Sequence, residues 1–490
     1  MARGAACRSV DGMLLRGGTV VDASGVRRAD VLVEGELIAA VGESLDPRGG
    51  DVVDAGGAYV IPGGIDVHTH LALPVGAVAS ADDFESGTLA AACGGTTCVI
   101  DFAGAGREPW EEALATWHER ADGRAVVDYG FHLTVTAVPE EPEAARSLFE
   151  RFAEHGVTSV KLYLAYPDRL MVDDDTLFRA LVAGGETGVR VMVHAEDGAR
   201  IETLTKLALE SGLTGPDAIP VVRPPAVEAD AIRRAAALAV EAAAPLYVVH
   251  LSSRQGLEAV RSGRASGAEV RAETCPHYLF LDGTRLTAGT DGAQDVVCQP
   301  PLRSGADREA LWDALGSGEL DVVSTDHCPF TRSARRRGTA DRAERWIDFR
   351  QIPGGLPGLE TRLSLVYQGV RRGRFSLERW VELVAGAPAR LFGLDHRKGA
   401  IAPGLDADLV VFDPQATKHL TAAELHSRSD HSPYEELEVT GWPALTIARG
   451  RVVAAGGEPA DAPPGWGRFV ARSLERPSNA RLPVAELRVE

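Results

Sequence analysis

The sequence predicts an α/β fold: a (β/α)8 TIM-type barrel over residues 62–395, beside a small β-sandwich domain formed by both chain ends. Three observations carry this expectation. Apolar runs alternate with Ala- and Glu-rich stretches through the middle of the chain, and alternation over that length calls for a parallel sheet covered by helices. Both ends consist instead of short apolar runs joined by turn residues. Several central runs close on a His or an Asp, and a barrel gathers strand C-terminal ends at one mouth.

The elements follow in order. In residues 10–61, Met13-Leu14-Leu15 leads through a Gly-Gly turn to Thr19-Val20-Val21. Asp30–Val33 and Leu37–Val41 then flank Glu34-Gly35-Glu36, a hairpin signal. The barrel runs include Thr97–Phe102, Ser159–Tyr163, Val189–His194, Leu246–His250 and Asp321–Asp326, and the Ala-rich span 226–243 suits a helix. In residues 396–455 short runs return: Asp408–Phe412, then Leu445–Ala448 and Val452-Val453 about Arg449-Gly450-Arg451. The tail, 456–490, with many Pro and Arg, reads as peripheral.

Composition narrows the function. A chain of 490 residues with 45% hydrophobic content has ample material for a large core. Its 51 basic against 70 acidic residues give a net charge of -19, which repels phosphate backbones and argues against nucleic acid as a partner. The six cysteines, Cys7, Cys93, Cys98, Cys275, Cys298 and Cys328, form no CxxC pair and read as reduced thiols of a cytoplasmic protein. The start lacks the apolar run of a secretion signal, and no stretch approaches the roughly 20 apolar residues of a membrane span. No Gly-x-Ser-x-Gly and no Walker-type loop occurs.

Six side chains stand out. His68 and His70 follow Ile65-Asp66-Val67, and residues i and i+2 of a strand face one side, where two imidazoles can grip one ion. A lone His-x-His is more often without a metal. His194 and His250 each end an apolar run, where a single His is commonly a satisfied core residue. Asp326 ends another, and a buried carboxylate needs a metal, a cation or several donors. Lys161 lies inside the apolar Ser159–Leu164. Its bland reading is an ion pair with a neighbouring carboxylate. The sharper one is carbamylation by carbon dioxide, which turns the ammonium into an anion able to bridge two ions about 3.5–4 Å apart. Imidazole and carboxylate ligands suit zinc, with manganese or cobalt as alternatives.

Taken with these, Pro62–His70, Val160–Tyr166, Val193–Glu196, Val249–Ser252 and Ser324–His327 resemble the dihydropyrimidinase/hydantoinase branch of the metal-dependent cyclic amidohydrolases. Asp82-Asp83-Phe84, Gly94–Thr97, Met171–Asp174 and Val439–Pro443 extend the match, which runs in order from about residue 13 to 455. The resemblance implies that His68, His70 and Asp326 hold one metal and His194 and His250 the second, most readily Zn2+, with carboxylated Lys161 as the bridge. It implies that Tyr166 hydrogen-bonds the substrate carbonyl and that Asp326 shuttles the proton. The implied reaction is hydrolysis of a cyclic amide (a dihydropyrimidine, a hydantoin or a related ureide or imide) by metal-activated water. The product is an N-carbamoyl amino acid or a related ring-opened compound. A homotetramer is also implied. An allantoinase-like ureide hydrolase is the alternative, and a non-catalytic scaffold relative is a third reading, set against the presence of all six ligand positions.

The match departs at telling places. The branch usually has Ser where Gln299 stands and Asn where Gly354 stands, two positions that contact the ring amide largely through main-chain atoms. Ala72 replaces a common Asp, and Thr274–Tyr278 is closer to allantoinases and dihydroorotases. Val75, Tyr163 and Leu170 are expected near the mouth, where they would choose the ring substituent.

Overall fold

The structure, a computed structural model, describes residues 12–167, 169–287, 292–337, 348–460 and 465–473. Eight parallel strands stand side by side in chain order: Gly64–Thr69, Thr96–Ala103, Asp128–Thr134, Ser159–Tyr163, Arg190–His194, Leu246–Val248, Val270–Thr274 and Val322–Val323. A parallel bridge between Thr69 and His327, with His70 N–H donating to His327 O at 2.8 Å, brings the last segment back to the first and closes the barrel. Most strand residues are fully buried, as a sheet covered by helices outside and packed inside requires. The helices carry their own start signals. Asp83 caps Phe84–Cys93 by accepting from Ser86 N, and Asp173 caps Asp174–Thr187, which ends at left-handed Gly188. The Ala-rich span forms the helix Pro225–Glu241, with proline in its first turn.

Two strands are shorter than the apolar runs predict. Leu246–Val248 stops before His250, and Val322–Val323 stops before Asp326. His250 and Asp326 take left-handed backbone angles, φ 40° and 51°, so the chain leaves the ladder just where these side chains turn into the mouth.

The chain ends meet in one nine-stranded sheet, stitched where Tyr59–Pro62 pairs antiparallel with Leu409–Phe412. Its apolar cluster joins Leu15, Val31, Val33 and Val60 from the first end to Leu409, Val411 and Ile447 from the second. The expected Gly-Gly turn is not there. Gly12–Asp22 is one strand, with a register shift between Leu15 and Gly18. Gly17 takes φ 71° and donates its N–H to Asp30 Oδ1 at 2.8 Å, while a Cβ on Gly18 would meet Val60 Cγ2 at 2.6 Å. The glycines form a bulge, not a reversal.

The tail also departs from the peripheral expectation over its described part. Val470 N–H donates to Tyr129 O at 2.8 Å, and Arg472, buried, donates to Ser159 Oγ at 2.8 Å. Val470 joins the cluster of Ile65, Val67, Phe102 and Phe392. Segment 465–473 thus packs across the N-terminal end of the barrel. Residues 474–490, and Cys7, lie outside the described residues.

Between barrel and sheet, Lys398 Nζ lies 2.8, 2.9 and 2.6 Å from carboxylate oxygens of Asp128, Asp406 and Asp408. These three carboxylates are close enough to hold an ion, but the buried ammonium already fills that place. No described helix is long and apolar enough to cross a membrane.

Candidate metal centre

At the other end of the barrel the strand termini converge. His68 comes from the first strand and His70 follows directly after it, while Lys161 comes from the fourth and His194 from the fifth. His250 and Asp326 follow the sixth and eighth. All six line one cavity of about 150 Å³, together with Tyr163, Tyr166, Leu170, Val75, Gln299 and Gly354. The expected mouth residues and the expected substrate contacts thus face the same space as the expected ligands.

Five of the six fall into two clusters, and Lys161 is the sixth. Asp326 Oδ1 lies 3.1 Å from His68 Nε2 and 3.2 Å from His70 Nε2. On the other side, His194 Nδ1 and His250 Nε2 face one another at 2.9 Å. Lys161 Nζ sits over the rings of Phe102 and Tyr163, 4.4 and 5.1 Å from their centres. It is 1% exposed, and burial pushes its ammonium down to about 8. The ion pair that the bland reading required is absent: among the described residues no carboxylate comes within 4 Å of Lys161 Nζ.

Carboxylates behind the imidazoles fix their tautomers. Glu196 Oε2 accepts from His194 Nε2 at 2.9 Å, which leaves Nδ1 as a lone pair aimed at His250. Arg223 pairs with the same carboxylate, and against the burial that opposes it, Arg223 and His194 hold Glu196 down to about 2. Glu273 accepts from His68 Nδ1 and from the Tyr247 hydroxyl, leaving His68 Nε2 without a hydrogen-bonded partner. Such outer carboxylates orient ligating histidines and raise their basicity.

The donor set fits divalent cations. Burial pushes His70 down to about 4 and also lowers His194 and His250, so three imidazoles are neutral with lone pairs to give. For His68, burial and Lys161 oppose protonation, but Asp326 and Glu273 outweigh them and raise its pKa. A proton there offsets the charge of the buried Asp326, and a divalent ion held by the same nitrogen would replace it.

The backbone around the cavity is unusual. Tyr166 has φ 67°, and with His250 and Asp326 it is one of three left-handed non-glycine residues lining the cavity. Each such conformation costs on the order of 1–3 kcal/mol and persists only where packing enforces it. The Tyr166 ring centre lies 5.2 Å from both the tilted His194 ring and the Arg223 guanidinium. Burial raises its hydroxyl to about 12, so it remains a proton donor at neutral pH.

This architecture has known counterparts. The sequence profile described as the amidohydrolase family matches residues 59–453. The chain belongs to that family. The amidohydrolase is 42% identical to a D-hydantoinase of Geobacillus stearothermophilus over 465 residues, covering 94% of this chain and 96% of that one. A D-hydantoinase of Streptomyces coelicolor is also 42% identical, over 90% and 94%. Among solved structures, a dihydropyrimidinase from Brevibacillus agri superposes with a TM-score of 0.90 at 40% identity, over 95% and 100% of the two chains.

Sequence reasoning passed over three residues of the amidohydrolase site. Glu196 stands two residues after His194, the strand spacing that puts both on one side. Glu273 is a carboxylate in a run otherwise like that of Lys161, blurred by Arg271 beside it. Arg223 sits at the end of a short helix and carries no sequence signal. His327 gives its Nε2 side to Asp82 at 3.0 Å and accepts Gly358 and Leu359 N–H on Nδ1, so it shapes the loops behind the mouth. Burial raises the thiols of Cys275 and Cys328 and brings Cys298 to about 12, which suits bystanders, not nucleophiles.

Proposed function

We propose that this amidohydrolase opens a cyclic ureide, a dihydropyrimidine or a 5-substituted hydantoin, by adding water to a ring amide and releasing an N-carbamoyl amino acid. The reaction class is hydrolytic ring opening of a cyclic amide, and the hydantoinase and dihydropyrimidinase relatives support it. The observation that carries the reading is a buried lysine amine without a carboxylate partner, set among four histidines and an aspartate in one cavity.

His68, His70 and Asp326 would hold one divalent ion, and His194 and His250 the other. Lys161, carboxylated by carbon dioxide, would span them; zinc suits this donor set best. Two ions in that position would lower the pKa of water and polarise an amide carbonyl. The rest falls to side chains. Asp326 takes the proton of the attacking water and passes it to the leaving ring nitrogen. Tyr166 donates its O–H to the carbonyl oxygen as charge develops there. Glu196 and Glu273 keep the imidazoles turned toward the cavity. Gln299 and Gly354 form the wall against which the ring amide lies. The assembly is proposed to be a tetramer acting in the cytoplasm.

The test joins three measurements on the purified protein: metal content, intact mass, and turnover of dihydrouracil, substituted hydantoins, allantoin and cyclic imides. Expected are two divalent ions per chain, the added mass of one carbon dioxide on Lys161, and hydrolysis of the hydantoins or dihydrouracil. The variant Asp326→Asn should fold and yet lose nearly all turnover. Turnover of allantoin alone would move the substrate assignment to that ureide. A bare Lys161 beside two bound ions would refute carboxylation, and an inert, metal-free protein would end the reading.

A further inference from the structure

Gln299 stands at the neck between two chambers. It lines the cavity of the six clustered side chains and also an outer chamber of about 540 Å³, a position shared with Val75, Tyr166, Arg169 and Gly354. Its carboxamide makes no hydrogen bond among the described residues. The space it occupies is informative. A Cβ added to Gly354 would lie 2.5 Å from Gln299 Cδ and 2.7 Å from Nε2, and nearer still to Oε1. Gly354 is not among the left-handed glycines, so its backbone does not demand glycine. Its lack of a side chain is what leaves room for the amide.

A carboxamide carries two N–H donors on one side and an acceptor oxygen on the other. A ring seated at the neck would exclude water from both, and each group left unpaired would weaken binding. The complementary edge is –NH–C(=O)–. We infer that the Gln299 side chain reads the –NH–C(=O)– edge of the substrate ring remote from the scissile bond, and that Gly354 is the partner that admits it. The inference rests on the cyclic-amide reading above and sharpens it: the substrate is a ureide with a free N–H on that edge, and methylating this nitrogen removes the donor that Gln299 accepts from.

The test compares a 5-substituted hydantoin with its analogue methylated on the ring nitrogen outside the scissile bond, for the holoenzyme and three variants of verified metal content. Gln299→Ala should lower kcat/KM on the parent ring about tenfold and shrink the preference for parent over methylated ring. The three atoms nearest to a Gly354→Ala methyl all belong to the flexible end of Gln299, so the variant should fold normally and reproduce both effects by displacing the amide. The double variant should be no worse than either single one. A wild-type enzyme that turns over the parent while Gln299→Ala keeps the full preference overturns the inference and leaves the ring-opening activity standing. A wild type inert on every cyclic amide overturns the activity itself.

Discussion

At the scale of single residues, the site is defined by where the backbone is strained and which nitrogens lack partners. Tyr166 adopts φ 67° and packs against His194. Its hydroxyl, raised to about 12 by burial, stays protonated across any working pH. Tyr166→Phe keeps the ring and removes one donor. Turnover should fall about 100- to 1000-fold, as for the loss of one oxyanion donor, while bound metal is unchanged. Steady-state kinetics on a hydantoin, with metal analysis of the same sample, checks this; a tenfold loss or less would place the hydroxyl away from the carbonyl. The candidate ligands were legible in the sequence because a polar residue at the end of an apolar run is costly unless it has a task. Arg223 was not. Its place depends on Glu196 and Tyr166, which are 27 and 57 positions away in sequence.

At the scale of elements, apolar runs announced the barrel strands, since residues covered on both faces read as continuous hydrophobic text. The run could not announce where pairing stops. Leu246–Val248 and Val322–Val323 end early because His250 and Asp326 turn out of the ladder. Nor could two glycines declare a bulge, since Gly17 and Gly18 are placed by Asp30 and Val60. The segment 465–473 was misread for a related reason: Pro- and Arg-rich text suggests solvent, yet Arg472 is buried and bonded to Ser159. A chain ending at residue 460 should therefore be less stable. Re-exposing Val470's contact surface alone accounts for about 1.5–3 kcal/mol, and Ser159 Oγ loses a donor. Urea denaturation of the full and shortened chains measures the difference, and equal midpoints would return the segment to the periphery.

At the scale of the whole molecule, barrel and sheet are joined through a charged core. Lys398 is 1% exposed and answers Asp128 from the barrel with Asp406 and Asp408 from the approach to the sheet. Burial works against Asp128, but Lys398 and Arg449 outweigh it and hold that carboxyl below its usual range; Asp408 is pushed up by burial in spite of Lys398. Lys398→Met keeps the stem and removes the only lysine among three carboxylates. Taking one partner from a buried ionic cluster costs about 3–5 kcal/mol, and that loss should appear at neutral pH. The sign of the pH dependence follows. Wild-type Asp128, with its lowered pKa, contributes stability above the unfolded carboxylate range and loses it as pH falls. In the variant that lowering is weakened, so the carboxylates take up protons at higher pH and their repulsion is relieved on acidification. The gap between variant and wild type should thus be widest near pH 7 and narrow toward pH 4. Denaturation midpoints across that range measure it, with metal content as a control because the strand ends that carry the histidines lie at the far end of the barrel. A gap that stayed constant with pH would mean that Lys398 stabilises the junction by packing its stem, not by its charge.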